Sequence, residues 1–156
     1  MMSGTPYRVS GSARIGAPPA RVYDIIADYR VGHPSILPTA FRNLQVTEGG
    51  RGAGTRFQME VHAFGRTDTM RAAVTEPEPG RVLVEKDLDR PTMTTFTIER
   101  GAHDGESVVT FDTDLESRSG LTGAIERWLS TVFLRRMYRE ELRNLDRVAR
   151  GSFTAA

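Results

Sequence analysis

Residues 121–150 read LTGAIERWLSTVFLRRMYREELRNLDRVAR, thirty positions with no proline and, after Gly123, no glycine until Gly151. Leu121, Ile125, Trp128, Leu129, Val132, Phe133 and Met137 recur at helical spacing, and Leu142, Leu145 and Val148 continue the pattern. Such spacing predicts one long amphipathic helix, with a broad apolar face in its first half and a narrower one later. A helix of this length needs a large apolar surface to lie on, and the rest of the chain supplies strands.

Residues 55–63 (TRFQMEVHA) alternate, with Phe57, Met59 and Val61 on one face and Arg56, Gln58, Glu60 and His62 on the other. Residues 67–76 repeat the pattern with Met70, Ala72 and Val74. Phe64-Gly65 as a two-residue turn sets Val61 opposite Asp68, Met59 opposite Met70 and Phe57 opposite Ala72. The apolar faces then coincide, which fixes the register. Residues 7–15, 41–48, 81–87, 92–100 and 106–116 also read as strands. The connections are short and rich in turn residues, as in Pro77-Glu78-Pro79-Gly80 and residues 101–105. Between the first two strands, Pro18-Pro19 opens a short helix carrying Val22, Ile25, Ile26 and Tyr29, which Gly32 and Pro34 stop. The expected fold class is α+β: an antiparallel sheet of about seven strands, short helices after the first strand, and a long C-terminal helix covering the sheet's apolar face.

Composition narrows the function. At 156 residues the chain has the size of one domain, expected over residues 7–150, with flexible ends at 1–6 and 151–156. Lys+Arg 21 against Asp+Glu 20 gives no basic excess, so no nucleic-acid partner is expected. With no cysteine, disulfides and thiolate chemistry are excluded. No signal peptide or membrane-spanning run is read, so a cytoplasmic location without stable membrane insertion is expected. The glycine-rich loop 49–55 lacks the lysine and following helix of a phosphate loop, and reads as a hairpin loop with positive φ. His33, His62 and His103 lie in three separate elements, so neither metal nor cofactor is expected. Asp112, Asp114 and Glu116 alternate with Phe111 and Leu115 and read as a solvated sheet face.

The order of elements, with the entry IGAPPARVYDIIADY (residues 15–29), the His33-Pro34 to Leu37-Pro38 segment and the glycine-rich loop, resembles the START-like (SRPBCC) superfamily in its polyketide cyclase/dehydrase and lipid-transport branch. The resemblance implies a helix-grip fold, a curved sheet wrapped on the long helix around a cavity. The expected lining is Phe57, Met59, Met70, Phe96, Phe111, Ile125, Trp128 and Val132.

Three functions remain open. The first is binding or transport of a small hydrophobic ligand such as a lipid, an isoprenoid or a polyketide. The second is a polyketide aromatase/cyclase or dehydratase, which needs an acid and a base within hydrogen-bond reach of substrate; Asp68, His33, Tyr29 and Arg136 are the candidates. Asp68 is either a base at the cavity end or a solvated hairpin-tip residue. Arg136 either points to the sheet or pairs with Glu140 on the surface. The third is a regulatory or protein-interaction domain using Leu129, Phe133 and Leu134. The oligomeric state is left as monomer or homodimer.

Overall fold

The computed structural model describes residues 4–151; residues 1–3 and 152–156 of the two expected flexible ends lie outside them. The chain runs β1 (Thr5–Ile15), α1 (Pro19–Ala27), α2 (Gly32–Ile36), β2 (Phe41–Glu48), β3 (Arg56–Ala63), β4 (Arg66–Glu78), β5 (Val82–Asp87), β6 (Met93–Arg100), β7 (Ser107–Ser117) and α3 (Gly120–Ala149). The strands form one seven-stranded antiparallel sheet in the order β1-β7-β6-β5-β4-β3-β2. The sheet is open and curved, and α3 packs against it, which is the helix-grip arrangement.

Alternation places the core. In β4, β6 and β7 the buried residues Ala72, Val74, Phe96, Ile98, Val109 and Phe111 come from one parity. The β3–β4 hairpin has the register that its two apolar faces require: Val61 opposite Asp68, Met59 opposite Met70, Phe57 opposite Ala72. Phe64 and Gly65 both have positive φ (52° and 72°) in the two-residue turn between them, the conformation that matches the strands' right-handed twist. The β4 strand runs through Pro77 to Glu78, so the turn begins later than the Pro77-Glu78 pair suggests. The ladder shifts register between Thr75 and Glu78, which accommodates a residue that cannot donate to it.

β1 begins at Thr5, opposite Ser117, two residues before its alternation starts. On the outer face of β1 and β7, Arg8 holds Asp114 through two bonds (2.7 and 3.0 Å) and the Ser10 hydroxyl donates to Asp112 at 2.5 Å. The glycine-rich loop is a set of positive-φ positions. A Cβ on Gly52 would meet the Glu76 carboxyl at 2.7 Å. This close approach lets the loop bond to the end of α1, through Gly52 N–H to Ala27 O and Tyr29 N–H to Gly50 O, both 2.9 Å.

The long helix departs from expectation in which side it buries. Met137, Tyr138, Glu141, Leu142, Leu145 and Ala149 are buried. Leu121, Ile125, Trp128 and Val132 are 79, 51, 65 and 51% exposed. The apolar side chains of α3 fall on two stripes, and the sheet covers the one nearer the C-terminus.

Candidate functional site

Between the curved sheet and α3 lies a cavity of about 180 Å³, partly open to solvent. Its walls include Leu37, Phe41, Met59, Met70, Leu115 and Phe133. A polar floor interrupts this apolar wall.

One floor residue, His33, lies in the first turn of α2, and Tyr29, just behind it, comes from the α1–α2 connection. Asp28 accepts hydrogen bonds from the backbone N–H groups of Arg30, Val31 and Gly32, which closes a tight turn. A Cβ on Gly32 would stand 2.4 Å from the Ile25 carbonyl, so glycine permits the close approach of the two helices. The turn drives Tyr29 and His33 inward, where their rings stack at 4.5 Å and Tyr29 also stacks on Phe57 at 5.0 Å. The other two floor residues are acids. Glu85 shares inward parity with Leu83 and Asp87 on β5, and Glu141 lies on the buried stripe of α3.

The four groups form one cluster. The Tyr29 hydroxyl donates to Glu85 Oε1 at 2.6 Å. His33 Nδ1 lies 2.7 Å from the Ile26 carbonyl, which can only accept, so Nδ1 carries a proton and Nε2 is turned to the acids. Nε2 is 3.5 Å from Glu85 Oε1 and 3.9 Å from Glu141 Oε1. Burial pushes both carboxyl pKa values up. For Glu85 the neighbouring His33 and the Tyr29 hydroxyl oppose the rise. For Glu141 the Glu85 charge adds to it, so Glu141 lies well above the usual carboxylate range. Glu141 is therefore the group that keeps its proton most strongly, and Glu85 the one more readily ionised. Environments that push two acids apart suit them to separate acid and base roles.

A chain of hydroxyls continues along the wall: Thr94 bonds to Thr113 at 2.8 Å, and Thr113 to Tyr138. Burial, with the neighbouring acids Glu141 and Glu85 adding to it, raises the Tyr138 phenol's pKa and keeps it protonated. Asp87 also lines the cavity, but its Oδ1 accepts from the N–H groups of Asp89 and Arg90 and so holds the β5–β6 turn.

The sequence candidates divide cleanly. Of the four catalytic candidates, His33 lines the floor and Tyr29 stacks on it from behind, fully buried. Asp68 is exposed near the hairpin tip, and it does not line the cavity although its cross-strand neighbour Val61 does. Arg136 is exposed and makes no ion pair among the described residues. It does follow Val132 by one turn, but that stripe faces outward. Among the expected lining residues, Met59, Met70 and Phe96 line the cavity. Phe57 and Phe111 are buried behind the wall, packed on Tyr29 and on Phe96. Ile125, Trp128 and Val132 face solvent. Sequence reasoning passed over Glu85 and Glu141, although both carried a signal: Glu85 shares parity with Leu83, and Glu141 sits one turn from Met137, Tyr138 and Leu145. Among the described residues no group of three His, Cys, Asp or Glu side chains is placed to hold a metal ion. No described helix is long and apolar enough to cross a membrane.

Residues 6–150 match the family model for polyketide cyclase / dehydrase and lipid transport. The chain belongs to this family. Among solved structures it is similar to KanY (29% identity, 97% of this chain and 100% of that one, TM-score 0.81). It is also similar to the Zhui aromatase/cyclase from Streptomyces sp. R1128 (17% identity, 97 and 98% coverage, TM-score 0.79). A START superfamily protein from Mycobacterium smegmatis is a further neighbour (16% identity, 92 and 97% coverage, TM-score 0.72). No curated protein matches the chain. The family and these neighbours share a START-like ligand-binding fold. In this chain the space between sheet and helix holds the His33–Glu85–Glu141 floor, with Tyr29 bonded to Glu85 behind it.

Proposed function

We propose that the cavity takes up a small, uncharged, largely apolar molecule bearing an enolisable carbonyl, and that Glu85, His33 and Glu141 move protons on it, as a cyclase or dehydratase requires. The observation that carries this reading is the convergence of two buried carboxyls and an imidazole on the floor of an otherwise apolar cavity. Uncharged ligands fit because the lining contains Glu85, Asp87 and Glu141 but no lysine or arginine to meet a carboxylate or phosphate. The volume is on the order of the ~150 Å³ apolar cavity that admits a benzene ring, so one ring occupies it comfortably.

The roles follow from the environments. Glu141, the stronger proton holder, donates its proton to the carbonyl oxygen. Glu85, held by the Tyr29 hydroxyl, takes the proton from the adjacent carbon. The C–H electron pair becomes the C=C bond of the enol, and the carbonyl π pair forms the new O–H bond. The cycle leaves a protonated Glu85 and an ionised Glu141. His33 Nε2, within 3.9 Å of both, returns the proton between them. Acid–base assistance of this kind contributes roughly 10²–10⁴-fold in rate.

Acetophenone in deuterated buffer tests the reading. Its methyl protons exchange slowly unaided, and the protein is expected to accelerate their loss from the proton NMR spectrum. Glu85→Gln is expected to abolish the acceleration while calorimetry still detects binding. A second reading, carriage without chemistry, draws on the methionine-lined apolar wall and on the lipid-transport part of the family's description. Aryl ketones that bind tightly with no exchange in the native protein would establish carriage and end the enzymatic reading.

A further inference from the structure

The outer face of α3 has no role in the cavity chemistry, and its composition is unusual. Leu121, Ile125, Trp128, Leu129 and Val132 stand on one exposed stripe over three turns. The same stripe, followed toward the C-terminus at steps of three and four, becomes Arg135, Arg136, Arg139 and Arg143, all exposed. None of these arginines is ion-paired among the described residues. Two carboxylates flank the arginines: Glu140, half-buried one turn after Arg136, and Asp146, which accepts from the Gly16 N–H and from Arg150. The only glutamate in the first half of the helix, Glu126, is to one side and paired with Arg118.

We propose that this outward stripe of α3 docks the protein on an anionic lipid bilayer surface, with Leu121, Ile125, Trp128 and Val132 in the interface and the four arginines on headgroup phosphates. Charge complementarity selects this occupant. A helix whose outward face carries Trp and Leu side chains and an excess of arginines over acids fits the boundary between acyl chains and negative headgroups. A second copy laid on this stripe would set its four arginines mostly against like charge, with Glu140 alone beside them on each copy. A bilayer also accepts protruding side chains without a matched pocket.

Position strengthens the argument. Phe64, 63% exposed at the hairpin tip, lies 5.7 Å from the Phe133 ring, and Phe133 is a cavity wall. Phe133 also stands one turn after Leu129 of the stripe, so the apolar stripe and the cavity share a border. Docking brings the cavity beside the acyl layer, from which an apolar ligand can partition. Docking itself does not depend on the proton transfer proposed for the floor.

Trp128 is the chain's one tryptophan, so its emission reports this face alone. The protein is mixed with vesicles of equimolar phosphatidylglycerol and phosphatidylcholine, and separately with pure phosphatidylcholine. The expected result is a blue shift and co-sedimentation with the anionic vesicles, at least about tenfold stronger than with the neutral ones. High salt should remove most of it, because exposed charges are then screened. Arg136→Glu with Arg139→Glu, and separately Ile125→Ser with Val132→Ser, should each abolish the shift while circular dichroism stays native. Three results overturn the proposal. One is no binding to anionic vesicles. The second is equal, salt-insensitive binding to both compositions. The third is a blue shift that grows with protein concentration without vesicles and tracks a dimer in sedimentation, which would assign the stripe to a second copy. Acetophenone exchange measured on the same variants keeps the floor chemistry separate, since neither pair of substitutions touches the cavity.

Discussion

The two halves of α3 are both rich in apolar residues and have opposite fates. Leu121, Ile125, Trp128 and Val132 are exposed, while Met137, Leu142, Leu145 and Ala149 are buried, and a glutamate is buried with them. Hydrophobicity alone would have buried the first half. Angle and anchoring decided otherwise. The C-terminal half is clamped from several sides: the Gly16 N–H donates to Asp146, Arg21 donates to the Ala149 carbonyl, and Asn144 donates to the Ile36 carbonyl. These bonds fix which stripe meets the sheet. Glu141 is carried inward because it shares that stripe with Leu145, and it accepts burial at the cost of a raised pKa. The lesson is that a helix's inner face is set by what holds its end, and an acid that shares that face is carried into the core.

The largest test of the contrast is Leu145→Ala against Ile125→Ala. Leu145 is fully buried, so its truncation is expected to cost about 2–5 kcal/mol by urea denaturation. The Ile125 change should stay within about 0.5 kcal/mol. Equal losses would mean that both halves are buried in solution, and the outward stripe would have to be redrawn.

Next in size is the pH dependence carried by Glu141. Its folded-state pKa lies above the usual value of 4.5. The folded protein therefore holds a proton that the unfolded chain releases. This contribution is fully present below the unfolded pKa and is lost as pH rises through the folded one. Stability of the native protein relative to Glu141→Gln should fall as pH rises above 4.5. Urea midpoints over that range, compared between the two proteins, give the answer. A difference that is flat or rises with pH would mean that Glu141 is not buried as described.

The smallest effect concerns local opening. Backbone amides of residues 142–149 should exchange with solvent more slowly than those of residues 124–132, because tertiary contacts protect only the clamped half. Exchange followed by NMR resolves this, and uniform protection along α3 would blunt the comparison.

The alternation of Phe57, Met59 and Val61 against Met70, Ala72 and Val74 was enough to read the β3–β4 hairpin and its register, because a slip of one residue would turn every apolar side chain to water. The same logic, applied to β5, would have exposed Glu85, since Leu83, Glu85 and Asp87 must share a face. Asp68 shows the reverse limit: its parity is inward, but its place at the hairpin tip leaves nothing over it. Tyr29 and His33 were legible as candidates from their place between helix and proline. Their stacking and their shared approach to Glu85 were not, because Glu85 lies far away in sequence.

By itself the sequence determined the α+β class, the order of elements, the hairpin register and the long C-terminal helix. These depend on period, turn chemistry and apolar matching between neighbours, all of which are local. Only the tertiary structure decided which stripe of α3 faces the sheet, that a cavity remains between them, and that Glu85, Glu141 and His33 converge on its floor with Tyr29 bonded to Glu85 behind them. Those outcomes depend on distances between elements remote in the chain and on how completely side chains fill the space between curved surfaces. No local pattern encodes either.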